Sequence, residues 1–193
     1  MRKVAIITAR GGSKRIPRKN IKEFLGKPII AYSIETAIKS GLFDMVMVST
    51  NDEEIASISR SYGAEVPFLR SEKTSDDFAS TAEVLTEVLS KLDNAKYNFD
   101  FACCLYPTAP LITKIIIEEA YELLLKETYD AVFPATSFGY PIYRALQINK
   151  ENKIEMVWPE NLNKRTQDFP MAYHDAGQFY WININRFKNE GNI

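Results

Sequence analysis

The strongest constraint on the fold of this chain is an alternation of short apolar runs with stretches of helical period. "KVAIIT" (Lys3–Thr8) is apolar almost throughout, as in a strand buried on both faces. "KPIIAYSIETAIKSG" follows as a helix, with Ile30, Ile34, Ala37 and Ile38 on one face, Pro28 at the start and Gly41 at the end. "DMVMVST" (Asp44–Thr50) reads as a second strand. "TNDEEIASISRSYG" reads as a second helix, with Thr50 and Glu53 as a capping box and Gly63 as its stop. "AEVPFLR" is a short third strand, and "STAEVLTEVLSKL" a helix opened by a Ser80–Glu83 capping box. "FDFACCLYP" is a fourth strand, "TKIIIEEAYELLLKE" a fourth helix and "YDAVFPATS" a fifth strand. Strands and helices in this alternation predict an α/β domain: a mostly parallel sheet with helices on both faces.

The pattern changes after Phe138. "YRALQI" and "KIEMVW", separated by "NKEN", predict a β-hairpin within an inserted arm spanning 138–170. Such an arm serves either a subunit contact, making a homodimer, or a flap over a pocket. "AGQFYWININ" returns as a strand. The chain then stops at "RFKNEGNI", soon after that strand and with no closing helix expected.

At 193 residues the chain suits a single domain over 1–193. The net charge of −1 leaves no general basic surface, which argues against nucleic acid or an anionic membrane as a bulk partner. The apolar run near the N-terminus is too short for a signal h-region or a membrane span, so a cytoplasmic protein is expected. Cys103 and Cys104 are adjacent on a predicted strand and point to opposite faces, which makes them buried apolar side chains and not a bridge. The single histidine, His174, cannot build a zinc cluster.

Against this balance, "TARGGSKRIPRKN" (Thr8–Asn20) stands out. It holds Arg10, Lys14, Arg15, Arg18 and Lys19, with no acidic residue inside the run. In a parallel α/β sheet, ligands bind beyond the carboxyl ends of the strands, and this loop follows the first strand. Gly11 and Gly12 would let the backbone approach a ligand and turn its N–H groups inward, with Ser13 beside them. The cations would neutralise a triphosphate. Neither the G-x-x-x-x-G-K-[ST] loop nor the G-x-G-x-x-G fingerprint is present. A charge run is most often only a solvated face. Paired glycines, a preceding buried strand and the missing acidic counterpart favour an anion site here.

The segment "ARGGSKRIPRKN" resembles the first motif of the CMP-sialic acid synthetases, cytidylyltransferases that activate acidic sugars. "VSTNDEEIA", "FLRSEKTSDD" with Ser80–Thr81, "LYPTAPL" and "RTQDFPMAYHDAGQFYW" resemble further segments of that family in the same order. Tyr106 before the Pro-Thr turn and "HDAGQFYW" in place of an Asn-Gly pair look like the branch that acts on pseudaminic acid, a nine-carbon acidic sugar. The resemblance implies a Rossmann-like three-layer nucleotidyltransferase fold. It also implies attack by the sugar's anomeric hydroxyl on the α-phosphorus of CTP, releasing pyrophosphate, with Mg²⁺ as cofactor. Arg10, Lys14 and Lys19 match the family's triphosphate positions, with Asn20 a polar contact beside them. Arg15 and Arg18 either join them or are solvated, and Pro17 stiffens the loop.

Arg70, Asp76, Asp77 and Ser80 match the cytosine and ribose side. Ser80 doubles as a helix cap, and Asp77 as a turn residue. Tyr106, Thr108 and Pro110 match the turn under the acceptor sugar, where Tyr106 stands between a sugar contact and core packing. Arg144 and Arg165 are candidates for the sugar carboxylate. Gln178, the backbone near Gly177 and His174 are candidates for other sugar contacts. The family's metal-holding Asp-x-Asp pair lies near its C-terminus, and "RFKNEGNI" ends before any such motif. The expectation is a chain lacking the C-terminal part of the family domain, with Asp175 the acidic residue offered as metal ligand. Two functions of different class follow: an active synthetase for pseudaminate (with N-acetylneuraminate or legionaminate as alternatives), or a catalytically impaired CTP- and sugar-binding form.

Overall fold

A computed structural model describes residues 1–126 and 129–191. Glu127, assigned above to the fourth helix, and the terminal Asn192 and Ile193 lie outside the described residues. The chain forms two compact units: Met1–Pro134 with Gly177–Ile193, and Ala135–Ala176.

The first unit runs β1 (Lys3–Thr8), a small hairpin of β2 (Glu23–Phe24) and β3 (Lys27–Pro28), α1 (Ile29–Ser40), β4 (Met45–Ser49), α2 (Glu53–Ser61), α3 (Thr81–Asn94), β5 (Phe101–Leu105), α4 (Lys114–Lys126) and β6 (Ala131–Val132). The second holds β7 (Ala135–Ser137), β8 (Leu146–Ile148), β9 (Ile154–Met156) and β10 (Tyr173–Asp175). The first resumes with β11 (Phe179–Asn183) and α5 (Ile184–Glu190).

The main sheet has the order β4-β1-β5-β11-β6. β1 pairs in parallel with both β4 and β5, while β11 is antiparallel to β5 and β6. Four strands therefore point one way and one is reversed, a mostly parallel sheet. The apolar strands are buried on both sides, and alternate residues feed two cores. Ala5, Ile7 and Cys103 pack with α1, α2 and α4; Val4, Ile6 and Cys104 pack with α3 and α5. Each buried Ile or Leu contributes about 1.5–3 kcal/mol relative to exposure. Trp181 of β11 is fully buried and satisfies its indole N–H on the Ile117 carbonyl at 3.0 Å. The two thiols lie on opposite faces, and burial pushes the Cys104 thiol up to about 12 and Cys103 up as well, so both stay protonated.

Several local expectations are corrected. "AEVPFLR" forms no strand; only Glu65 bridges Met47, and Pro67 has no N–H to continue the ladder. α2 is capped by Asp52, whose carboxylate accepts the Ile55 N–H at 3.0 Å, and not by a Thr50–Glu53 box. The Ser80–Glu83 box on α3 is present. The predicted fifth strand divides into β6 and β7 around Phe133–Pro134. A closing helix does exist. Asn183 caps α5, Ile184 and Phe187 bury at i, i+3 spacing, and Gly191 stops it with φ 72°.

In the second unit, β8 and β9 form the predicted antiparallel hairpin, pairing Leu146 with Met156 and Ile148 with Ile154. β10 pairs with β7.

Candidate active site

The chain direction around the sheet reverses beside β1. α1 leads outward to β4 on one side, and α3 leads back to β5 on the other. The carboxyl ends of β1 and β5 therefore diverge at a topological switch point, the place where open α/β sheets hold ligands. A cleft of about 390 Å³ opens there. Thr8, Arg10, Ser13, Arg15, Lys19 and Asn20 line it from the β1 side, Tyr106, Pro107 and Thr108 from the β5 side. Arg70, Thr74, Asp76, Asp77, Ala79, Thr81 and Val84 close it. A second hollow of about 540 Å³ adjoins it through Arg10, Ser13, Arg15, Lys19 and Asp77, and adds Lys14 and Ile16.

The basic loop is held by its own polar groups. Asn20 is buried and donates through Nδ2 to the Arg10 carbonyl at 2.9 Å, while its Oδ1 is buried with no partner. Gly11 donates its N–H to Asn51 Oδ1 at 3.0 Å. A Cβ on Gly11 would lie 2.6 Å from Asp52 Oδ2, so glycine is required there by the close approach of the α2 cap. Neither Gly11 nor Gly12 has positive φ, and a Cβ on Gly12 would touch nothing within 4 Å. The expectation that both glycines turn free N–H groups inward is thus corrected for Gly11, whose N–H is already used.

The acidic counterpart missing along the run arrives from elsewhere in the fold. Asp77 pairs with Arg10 at 2.8 Å and with Lys14 at 2.5 Å. Lys14 and Arg10 together hold the Asp77 carboxyl below the usual range. Arg18 adopts a left-handed φ of 54° and clamps Asp52 (2.5 Å) and Glu54, which removes it from the candidate ligand set. Asp76 faces the cleft, but its Oδ1 accepts the N–H groups of Phe78 and Ala79, and its carbonyl accepts from Arg10.

Arg70 is the most constrained cation. It is only 7% exposed, and its Nε and one terminal nitrogen, Nη2, are buried without a partner. Burial pushes its pKa down, the Glu87 carboxylate opposes that, and Arg10 adds to it. A buried guanidinium with unmet donors is costly. Arg70 is nonetheless among the residues that line the cleft, a cation at the wall with donors not met by the protein.

Tyr106 is fixed from three directions. Its N–H donates to the Gln178 carbonyl at 2.9 Å, its carbonyl accepts from Ser33 Oγ at 2.9 Å, and its hydroxyl meets Thr81 Oγ1 at 3.2 Å. Gln178 thus reaches Tyr106 through its backbone. Ser80 is consumed by the α3 cap and does not line the cleft; Thr81 does.

The remaining predicted residues belong to the second unit. Arg165 makes a two-pronged pair with Asp168 at 2.8 and 2.9 Å. Arg144 donates to the Lys164 carbonyl, and its Nε is buried without a partner. His174 Nδ1 lies 2.9 Å from the Asp175 carbonyl, and its ring meets Phe138 edge-on. Asp175 sits on β10 opposite Ala135.

Among the described residues, no group of three or more His, Cys, Asp or Glu side chains is arranged to hold a metal ion. Asp77 faces Arg10 and Lys14, and Asp76 is used by backbone N–H groups. These residues do not fit a protein-built Mg²⁺ site.

Residues 4–191 match the family model described as cytidylyltransferase. The chain belongs to the cytidylyltransferase family. A pseudaminic acid cytidylyltransferase of Campylobacter jejuni is 48% identical over 181 residues, spanning 94% of this chain and 78% of that protein. A Helicobacter pylori protein, pseudaminic acid cytidylyltransferase and UDP-2,4-diacetamido-2,4,6-trideoxy-beta-L-altropyranose hydrolase, is 39% identical over 189 residues, 97% of this chain and 36% of its own length. Among solved structures, CMP:2-keto-3-deoxy-manno-octonic acid synthetase complexed with CTP superposes with TM-score 0.72 at 19% identity, covering 98% of this chain and 77% of that one. That likeness shows a nucleotidyltransferase fold for this cytidylyltransferase. No helix among the described residues is long and apolar enough to cross a membrane.

Arg15 was left open by the sequence, and Thr8, Thr74, Ala79, Thr81, Val84 and Pro107 line the cleft without having been given a role. Thr81 had a local signal, as the first helical residue after the Ser80 cap. Thr74 lies within "FLRSEKTSDD", a segment that resembles the family's, but only folding shows that this residue reaches the cleft.

Proposed function

We propose that this chain transfers CMP from CTP to the anomeric hydroxyl of pseudaminic acid. The sugar oxygen attacks the α-phosphorus, and the bond from that phosphorus to the pyrophosphate oxygen breaks. The observation that carries this reading is the cleft at the switch point, where Arg10, Arg15, Lys19 and Arg70 face only two carboxylates. A triphosphate supplies the negative charge such a cleft needs, and phosphoryl transfer depends chiefly on positioning and charge neutralisation.

In this reading Arg10, Lys14 and Lys19 bind the triphosphate, with Ser13 and Asn20 beside them. Arg70 addresses the base. Cytosine presents two adjacent acceptors, O2 and N3, that suit a guanidinium, whereas uracil presents N3–H, a donor against a donor. Tyr106 and Thr108 lie at the acceptor-sugar side, and Arg144, Arg165, His174 and Gln178 are the candidates for the sugar's carboxylate and polar groups. Pseudaminate is favoured as acceptor by the 48% identity to the C. jejuni protein. Mg²⁺ belongs to this reading as an ion carried mainly on phosphate oxygens. The described side chains build no cage for it, Asp175 included, and no step here runs through it. A homodimer joined through the hairpin arm is supported by exposed Leu146, Ile148 and Ile154 on the two-stranded sheet, and a cytoplasmic location belongs to the same reading.

The test is pyrophosphate release with CTP, offering pseudaminate and N-acetylneuraminate separately. Release with pseudaminate at least tenfold faster than with N-acetylneuraminate is expected. Equal rates, or release with neither sugar, would overturn the assignment.

A further inference from the structure

Arg70 is buried in the wall of the cleft, yet the segment around it has no regular structure of its own beyond a single 3-10 turn, Glu72–Thr74. Something outside that segment must hold it. The holding groups lie on α3, two turns beyond the Ser80 cap. Glu87 accepts the Ser71 N–H at 2.8 Å, the Ser71 hydroxyl at 2.6 Å and the Thr74 hydroxyl. Lys91, one turn further on, pairs with Glu87 at 2.7 Å and donates to the Leu69 carbonyl at 2.8 Å. Residues 69 and 71, on either side of Arg70, are thereby pinned to one helix. The remaining anchor is the Arg70 N–H itself, which donates to the Thr50 carbonyl at the end of β4.

Glu87 does not line the cleft. We propose that Glu87 is a positioning residue for nucleotide binding: it fixes the Leu69–Ser75 segment on α3 and thereby aims the Arg70 guanidinium at the base. The inference rests on the reading of the cleft as the CTP site. The physical case is the concentration of donors on one carboxylate. Charge-assisted hydrogen bonds are about twice as strong as neutral ones. Burial alone would raise this carboxyl, yet the donors of Lys91, Ser71 and Thr74 outweigh it and hold the group at about 2, so it is ionised whenever the protein is folded near neutrality. Its charge also favours the cationic form of Arg70.

The test is calorimetric titration of CTP into the unaltered protein, Glu87→Gln, Ser71→Ala, Arg70→Ala and the Glu87→Gln/Arg70→Ala double variant. Steady-state kinetics are measured on the same set. The glutamine keeps one acceptor but sets an amide donor against donors. Glu87→Gln is expected to weaken CTP about tenfold and to raise KM for CTP by a similar factor, with kcat at saturating CTP within twofold. Ser71→Ala, which removes one donor and leaves the carboxylate, is expected to weaken CTP about threefold. In the Arg70→Ala background, Glu87→Gln should cost less than twofold more. Wild-type affinity in Glu87→Gln, or the same loss with and without Arg70, would overturn the inference. If Glu87→Gln does not fold, Ser71→Ala in the two Arg70 backgrounds decides it by the same comparison. No CTP binding by the unaltered protein would overturn the nucleotide reading and this inference with it. CTP binding that is indifferent to Glu87 overturns the inference alone.

Discussion

Asp77 occupies the place an anion would take. Its two carboxylate oxygens lie against Arg10 and Lys14, the cations proposed to meet the triphosphate. A nucleotide entering there competes with a built-in counter-charge. Asp77→Asn removes that charge and keeps the shape, so CTP should bind about threefold to tenfold more tightly to this variant, with steeper weakening by salt. Unchanged or weaker binding in a titration would show that Asp77 contacts the nucleotide instead of competing with it. Gly11 teaches a related lesson. Its glycine is demanded by the Asp52 carboxylate 2.6 Å from where a Cβ would stand, a contact between segments forty residues apart that no local pattern reveals.

At the scale of elements, the link between α3 and the Leu69–Ser75 segment is sensitive to acid. The Glu87 carboxyl sits at about 2 in the folded chain against an ordinary 4.5. A depressed folded value means its stabilisation is complete above the ordinary range and fades as pH falls from about 4.5 toward 2. After solvent screening this is worth about 1–2 kcal/mol. Urea melts at pH 6 and pH 3 should therefore show a smaller acid-induced loss for Glu87→Gln than for the unaltered protein. An identical loss would mean that the donors do not hold the carboxylate as described. Elements with strong local signals were legible in sequence: the apolar strands β1, β4 and β5, the Ser80–Glu83 box and the stop at Gly41. Elements decided by competition were not. Asp52 prevailed over Thr50 as cap because it also receives Arg18, and Pro67 denied the third strand its ladder. α5 was missed because "NINRFKNEG" continues a strand-like run, although Asn183 and the Ile184–Phe187 spacing carry the helix signal.

At the scale of the whole molecule, the basic loop's position could be argued from sequence because β1 was recognisable and parallel sheets bind ligands at one edge. The reversal of β11 could not, since periodicity carries no strand direction. The acidic partners of the loop and the burial of Arg70 arise only when α2, α3 and the 71–77 segment converge on β1. We propose that this convergence makes a cytosine-selective triphosphate site. The most direct measurement is a calorimetric comparison of CTP and UTP on the unaltered protein and on Arg70→Ala. CTP should bind at least tenfold more tightly than UTP, a difference of about 1.4 kcal/mol, and Arg70→Ala should erase most of that preference. Equal affinity for the two nucleotides, or a preference that survives the loss of Arg70, would contradict it.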